Sequence, residues 1–299
     1  MILETVQEFL TKASRGEASL SPELVEEFGE LCKTAIDRQF NREAREWRPY
    51  LSGVGKPVCQ QKLEKESSGN PPSSEIDYTR IYKFLMGDLI EAYAIVVMKA
   101  AGLPVENEQT RVELEIAGVT VSGKMDCTLW QQVWDVKSAS DFASMKFGEF
   151  GGYNKIKEDD PFGYVVQGHC YGKAIDMPFA GWIAINKSDG KWMVCEAPQY
   201  LAAQEEEAAL KVAEENLQRV MTEKFVKEFD DFPEIHKEGK GKNAIETATG
   251  NRRMVKECGF CDHKRHCWPN CEVHREVASN RKNAPFVWYS KLKVKELKK

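Results

Sequence analysis

The tripeptide Asp135-Val136-Lys137 brings together a carboxylate and an ammonium, the two kinds of group that metal-assisted hydrolysis uses. Its surroundings, QVWDVKSA, alternate as a β-strand does, so Asp135 and Lys137 share one face. Asp126 belongs to the preceding strand-like segment and comes alongside Asp135 if the two segments form a hairpin. Mg²⁺ and Mn²⁺ prefer such oxygen ligands. We therefore predict a metal held by Asp126, Asp135 and the Val136 carbonyl, with Lys137 stabilising charge during phosphodiester hydrolysis.

An isolated Asp-x-Lys is more often a pair of charges on the solvated face of a half-buried hairpin. Three further side chains favour the metal site. Glu91 lies within the apolar helical segment IYKFLMGDLIEAYAIVVMKAAGLP, where an acid needs a partner. Gln167 and Tyr171 are four residues apart on one face of a later helix, a position that also suits simple packing on a sheet. His169 does not share that face, and we predict that it has no role in the site.

Hydrophobic periodicity predicts the elements that must position these residues. Helical spacing of apolar residues predicts two helices in the first fifty residues, then a long helix ended by Gly102 and Pro104. From Arg111 the period becomes two and predicts three antiparallel strands, RVELEIAG, VTVSGKMDCTLW and QVWDVKSA. Asp160 is predicted to cap a helix through YVVQGHCYGKAI. A hairpin of GWIAINK and KWMVCEA follows, and then a long helix from about residue 201 to about residue 229.

A second candidate site is formed by Cys258, Cys261 and Cys267, whose Cys-x2-Cys-x5-Cys spacing wraps three thiolates around one centre. The fourth ligand is either Cys59 or Cys271. Zinc sites tend to use two close pairs, so three cysteines plus the distant Cys59 favour a [4Fe-4S] cluster, whereas Cys271 would favour a local zinc knuckle. The other cysteines stand singly among apolar residues and are predicted to be small core side chains; they are Cys32, Cys127, Cys170 and Cys195.

Bulk properties limit the class of protein. The chain has 299 residues, 42% of them hydrophobic, so it can bury a full core. Its formal net charge is -5. An odd number of cysteines, nine, and the absence of a signal-like opening favour a reducing cytoplasm over a disulfide framework, with no membrane contact. Basic segments that begin at Lys237 and Arg281 indicate either a DNA path or solvated tails.

The motifs resemble a known family. Gly123-Lys-Met-Asp126, Trp134-Asp135-Val-Lys137 and Gln167-Gly-His-Cys-Tyr171 are similar in order and spacing to the motifs of RecB-type PD-(D/E)XK nucleases. The resemblance implies a restriction-endonuclease-like α/β fold with a central mixed sheet flanked by helices. It implies that Asp126 and Asp135 bind metal, that Lys137 is the catalytic lysine, and that Gln167 and Tyr171 contact the DNA end or orient the site. Glu91 falls at the family's helix motif and would be a further metal ligand there; many members carry a histidine at that place, but glutamate is chemically suitable.

The cysteine pattern resembles iron-sulfur exonucleases encoded beside CRISPR arrays and in phages, and also AddB-type nuclease domains. This resemblance implies a [4Fe-4S] cluster on Cys59, Cys258, Cys261 and Cys267 that holds distant parts of the chain together. The domains expected are an N-terminal helical segment at 1–45, a nuclease core at 46–257 from which Cys59 reaches the cluster, and a cluster region with a basic tail at 258–299.

Together these features predict a Mg²⁺- or Mn²⁺-dependent exonuclease that acts on DNA ends, with single strands and 5′ to 3′ polarity preferred. Its setting would be phage or host recombination, repair or CRISPR spacer processing, in a bacterial cytoplasm, beside a recombinase, helicase or CRISPR integrase partner. Any ATP motor must come from another chain, because no Gly-x-x-x-x-Gly-Lys-Ser/Thr loop is present. The alternative is a DNA-end-binding or recombination module with a structural zinc site and little catalysis.

Overall fold

The computed structural model describes residues 1–41, 46–68, 78–148, 150–239 and 244–297. The chain divides into two compact units. The first unit comprises Met1–Lys56 and Asp77–Thr222, and the second comprises Pro57–Ile76 and Glu223–Lys299. The second unit therefore joins an internal segment to the C-terminal part of the chain.

The helices of the described residues are, in chain order, α1 (Ile2–Ser14), α2 (Pro22–Phe40), α3 (Val58–Glu66), α4 (Thr79–Ala100), α5 (Asp141–Phe147), α6 (Tyr153–Glu158), α7 (Tyr164–Ala174), α8 (Ala202–Thr222), α9 (Lys256–Phe260) and α10 (Lys264–Cys267). The strands are β1 (Val105–Glu106), β2 (Arg111–Ile116), β3 (Val119–Lys124), β4 (Cys127–Leu129), β5 (Gln132–Ala139), β6 (Phe179–Asn186), β7 (Trp192–Glu196), β8 (Phe232–Glu238), β9 (Ile245–Arg253), β10 (Glu272–Arg275) and β11 (Phe286–Lys291). None of the described helices has the length and apolar content needed to cross a bilayer.

A five-stranded mixed sheet forms the centre of the first unit, in the order β1-β4-β5-β6-β7. β5 and β6 run parallel, and the other neighbours are antiparallel. Every residue of β6 is buried, which is typical of a central strand covered on both faces. On one face Trp134 and Val136 pack in the same apolar cluster as Ile90 and Val97 of α4. The other face is covered by α5 and α7, and α8 packs against α7, so the unit is α/β with a mixed sheet flanked by helices.

The predicted pair of N-terminal helices and the long helix are confirmed as α1, α2 and α4. The Ser21 hydroxyl accepts a hydrogen bond from the Leu24 amide at the start of α2, and Gly102 follows α4 in a left-handed conformation with φ +82°. The predicted hairpin is confirmed as β6 and β7. α8 is shorter than predicted, because the chain enters the second unit after Thr222.

Two predicted boundaries differ from the structure for a local reason. The second of the three predicted strands is divided at Met125 and Asp126, so that β2 and β3 form a separate hairpin while β4 joins the main sheet. The backbone at the break bonds elsewhere: Met125 N donates to Thr110 O at 3.0 Å, and Gln109 N donates to Asp126 O at 2.9 Å. The helix predicted at Asp160 begins at Tyr164, and the Asp160 carboxylate accepts from its first two amides.

The second unit contains an antiparallel sheet in the order β10-β11-β9-β8. Glu234 lies on the edge strand β8, yet the residue is only 1% exposed. Its carboxylate accepts hydrogen bonds from Tyr289 Oη at 2.5 Å, from Asn251 Nδ2 at 2.9 Å and from Thr249 Oγ1 at 2.9 Å. Burial opposes ionisation, but these donors together lower the pKa of Glu234. The unit therefore depends on a buried anion surrounded by donors.

Glu234→Gln should lower the stability of the second unit by about 1–3 kcal/mol, because the new amide places a donor against groups that already donate. Urea unfolding at neutral pH measures the loss. Glu238→Gln is the matched control, since Glu238 lies on the same strand and is exposed. Equal midpoints for the two variants would show that the buried carboxylate does not organise this unit.

Candidate active site

β5 positions the first two groups of the candidate site. Asp135 and Lys137 point to the side of β5 opposite Trp134 and Val136, as the strand pattern predicted. Asp135 is 2% exposed, and its Oδ2 lies 2.5 Å from Lys137 Nζ in an ion pair. Its other oxygen accepts a hydrogen bond from Gln167 Nε2 at 3.2 Å. The two residues therefore form a fixed, largely buried pair.

Asp126 approaches this pair from the break between β3 and β4. Its Oδ2 accepts a hydrogen bond from Val136 N at 2.6 Å. Cys127 is the register partner of Trp134, which places Asp126 beside Asp135, and the two carboxyl groups interact directly. Glu91 of α4 also shares a hydrogen bond with Asp126. Three acids from a helix, a break and a strand thus meet at one point.

Without further positive charge, ionisation of the three acids in this cluster is unfavourable. Burial raises the pKa of Asp135 to about 7. Burial, and then the charge of Glu91, hold the pKa of Asp126 well above its usual range, and burial also raises the pKa of Glu91. Burial acts to lower the pKa of Lys137, but Asp135 and Asp126 outweigh it and raise that pKa. Lys137 forms its ion pair with Asp135, and three neighbouring acids with raised pKa values form an environment that favours a bound cation.

Gln167 and Tyr171 both lie on α7 and are buried. Gln167 bonds to Asp135 and also interacts with the Tyr171 hydroxyl. The Tyr171 ring lies against Gly123, where an added Cβ would be 2.7 Å from a ring carbon, so Gly123 leaves room for the ring. Of the two roles implied for this pair, their burial and contacts suit orientation of the site.

Two residues that the sequence reasoning did not single out also belong to the neighbourhood. The Tyr164 ring centroid lies 4.7 Å from Lys137 Nζ, a cation–π contact that restrains the lysine. Lys124, at the end of β3, interacts electrostatically with Glu91 and Asp126. The only sequence signal for Lys124 was its place inside the Gly-Lys-Met-Asp motif. His169 faces away from the acids, and its Nε2 lies 3.0 Å from the hydroxyl of Tyr153.

The cysteines of the second unit were the other candidate site. Cys59 of α3 lines one cavity together with Cys258, Cys261 and Cys267, and its volume is about 350 Å³ including the open mouth. Of the cysteines described in this unit, only Cys271 does not line the cavity, and it is 1% exposed beside Met254. All nine cysteines of the chain are described, and none is in a disulfide.

The surroundings of the four thiols are mainly apolar. Burial raises the pKa of Cys59 and of Cys261 to about 12, and it also raises the pKa of Cys258 and Cys267. The side chain of Trp268 acts the other way at Cys258 and favours its thiolate. Four convergent thiols in an apolar cavity suit a metal or cluster that binds them as thiolates.

Which metal each candidate site suits depends on the type and position of its donor atoms. Oxygen donors from three carboxylates suit Mg²⁺ or Mn²⁺, and four thiols suit zinc or iron-sulfur. Throughout the part of the chain that the structure describes, no three His, Cys, Asp or Glu side chains already stand as a complete metal-holding group.

No family model and no curated protein matches the chain. Two solved structures show a remote likeness. One is the protein SSO0001, with a TM-score of 0.39 and 14% identity over 64% of this chain and 85% of that one. The other is named "Putative exonuclease" and comes from Eubacterium rectale, with a TM-score of 0.32 and 14% identity over 68% of this chain and 85% of that one.

Asp126→Asn should stabilise the metal-free first unit at pH 8, raising its thermal midpoint by roughly 2–5 °C. The raised pKa of Asp126 means that the folded state binds its proton more tightly than the unfolded chain. Wild-type stability is therefore present at low pH and is lost as the pH rises through the folded pKa. The gain from the variant should shrink at pH 5.

Thermal unfolding in a chelator at pH 5 and pH 8 measures this difference. Asp189→Asn is the control, because Asp189 lies in an exposed turn. A gain of the same size at both pH values, or destabilisation at pH 8, would contradict the electrostatic account.

Proposed function

We propose that this chain is a metal-dependent DNA nuclease of the PD-(D/E)XK type. More specifically, we propose that it is an exonuclease that degrades DNA from its ends, with a preference for single strands and for the 5′ to 3′ direction. One observation carries the proposal: Asp126, Asp135 and Lys137 meet at β5, joined by Glu91 from α4 and by Gln167 from α7. A solvated hairpin face would leave these charges exposed, whereas Asp135 is buried and held by two partners.

Each side chain has a chemical task in this proposal. Glu91, Asp126, Asp135 and the Val136 carbonyl would hold Mg²⁺ or Mn²⁺. When bound, that ion supplies a Lewis acid and a water of lowered pKa. Lys137 keeps its proton at neutral pH, because the acids around it raise its pKa. Its ammonium can therefore donate to a phosphate oxygen on which negative charge develops.

Orientation of the charged groups falls to their neighbours. Gln167 fixes one oxygen of Asp135, and the Val136 amide fixes one oxygen of Asp126. The Tyr164 ring limits the movement of Lys137. Positioning of this kind matters, since displacement of a catalytic group by about 1 Å can lower a rate about a hundredfold.

For the second unit we propose a [4Fe-4S] cluster on Cys59, Cys258, Cys261 and Cys267, with a structural role. It would tie α3 to the C-terminal segment, which are far apart in sequence and belong to the same unit. The biological setting proposed is phage or host recombination, repair or CRISPR spacer processing, with a recombinase, helicase or CRISPR integrase as partner, in a bacterial cytoplasm.

A second candidate function is a DNA-end-binding module with structural zinc and little catalysis. The observation that favours it is the cavity itself, because four thiols also satisfy tetrahedral zinc. The two functions differ in the bound metal and in the consequence of removing Asp135.

Asp135→Asn should lower DNA hydrolysis by about two to three orders of magnitude, because it removes a metal-binding charge and the partner of Lys137. The measurement is product formation from end-labelled single- and double-stranded DNA with Mg²⁺ or Mn²⁺, using anaerobically prepared protein. Labels at either end report polarity. Asp189→Asn serves again as the control with wild-type rates. Hydrolysis by Asp135→Asn at the wild-type rate, or none by the wild type, would overturn the enzyme proposal.

Cys258→Ser should lower the iron and sulfide content and the yield of folded protein, whereas Cys271→Ser should leave the iron content unchanged. The reason is that Cys258 lines the cavity and Cys271 does not. Iron and sulfide analysis with the visible absorption spectrum measures the cluster. Colourless wild-type protein loaded with zinc would favour the binding module, and equal iron loss in both variants would contradict the choice of ligands.

A further inference from the structure

A pocket in the first unit is lined by Glu91 but not by Asp135. It is formed by α2, α4, the end of β3 and the segment before β2, with a volume of about 310 Å³ including its open mouth. Its polar side chains are Thr34, Arg38, Asp88, Glu91, Gln109 and Lys124. α2 is thus brought next to the carboxylates, although no motif of the sequence assigned it a part in the chemistry.

Two of the charges in this pocket neutralise each other. The Arg38 guanidinium makes a two-pronged contact with the Asp88 carboxylate, in which Nε lies 3.2 Å from Oδ2. Gln39 Nε2 donates to the same carboxylate at 2.6 Å. Asp88 is therefore fully engaged, and the pair contributes little net charge to the pocket.

Lys124 is the charge that has no direct counterpart. Its side chain is exposed, and the described carboxylates act on it through charge, without a side-chain hydrogen bond. Glu91 and Asp126 act on it only through longer-range attraction. If those acids hold a cation, as proposed above, their negative charge is neutralised. The pocket then has a net positive charge, which is that of Lys124.

Gln109 offers a second unused donor beside Lys124. In the part of the chain described, its side-chain amide has no hydrogen-bond partner. Its backbone has φ +54°, a left-handed conformation that is costly for a residue other than glycine. The same backbone donates from Gln109 N to Asp126 O at 2.9 Å. A strained position that presents a free amide next to the candidate metal ligands is typical of a functional site.

We propose that this pocket binds a phosphate of the DNA strand adjacent to the scissile one, with Lys124 and Gln109 as donors. The proposal rests on the nuclease function and deepens it by naming the group that positions the strand. A phosphate suits the pocket because it needs one cation and a neutral donor, and because phosphate contacts set the register of a nucleic acid. The phosphate is either a terminal monoester or an internal diester.

Lys124→Ala should raise KM about tenfold with little change in kcat, because the lysine holds the strand without touching the reacting atoms. It should also lower the slope of log Kd against log salt by about 1. Lys124→Arg should retain most of the binding. Lys211→Ala is the matched control, since Lys211 lies on α8 and is exposed.

The binding measurement uses single-stranded oligonucleotides with a 5′-phosphate or a 5′-hydroxyl, titrated by fluorescence anisotropy with Ca²⁺ at several salt concentrations. A loss confined to the 5′-phosphorylated oligonucleotide assigns the pocket to a terminal phosphate, and an equal loss on both assigns it to an internal one. Wild-type affinity and salt slope for Lys124→Ala overturn the pocket while leaving the nuclease function intact. Failure of wild-type protein to bind or cleave DNA overturns both.

Gln109→Gly separates a binding role from a structural one. Glycine adopts the left-handed backbone without strain, so the variant should be at least as stable as wild type. Loss of the amide should nevertheless raise KM about threefold. A gain in thermal midpoint with an unchanged KM would show that Gln109 does not bind the phosphate. The proposal would then depend on the result for Lys124→Ala.

Discussion

The ion pair between Asp135 and Lys137 is the interaction on which the first unit's site depends. Both groups lie on β5, whose parallel neighbour β6 is buried along its whole length. Charge inside such a sheet is tolerated only where partners and hydrogen bonds compensate for lost hydration. Gln167 supplies one such bond, and Asp126 and Glu91 add two more acids instead of relieving the cluster. The fold therefore maintains an arrangement that is unfavourable for an apo protein and favourable for a cation-binding one.

The scaffold explains how the arrangement persists. Residues of β5 alternate between two apolar clusters, so α4 packs on one side of the strand while α5 and α7 pack on the other. Glu91 arrives with α4, and Gln167 with α7. Packing of these helices on the sheet therefore fixes the positions of the acids and their donor together. A loss of order in either helix would disturb both the candidate site and the core.

The second unit also buries polar groups wholly or in part, in its case a carboxylate and four thiols. Its sheet is organised by the buried carboxylate of Glu234, and its helices bring four thiols to one apolar cavity. Both units thus bury groups that become favourable only with the right partner. For Glu234 the partners are donors within the chain, whereas the thiols suit a bound metal or cluster.

The sequence by itself was sufficient for the parts of this protein that local periodicity encodes. Alternation in QVWDVKSA placed Asp135 and Lys137 on one face, helical spacing located α1, α2 and α4, and cysteine spacing singled out Cys258, Cys261 and Cys267. Such signals depend on neighbours a few residues away, so they can be read from one chain.

Only the tertiary structure decided what depends on contacts between distant segments. It divided the predicted strand at Asp126, because the backbone there bonds to the segment at Gln109. It brought Cys59, and not Cys271, to the cavity with the other three thiols, and it placed α2 and Lys124 beside Glu91. The periodicity of the sequence does not predict these contacts between distant segments, because each contact is set by how whole helices and strands pack.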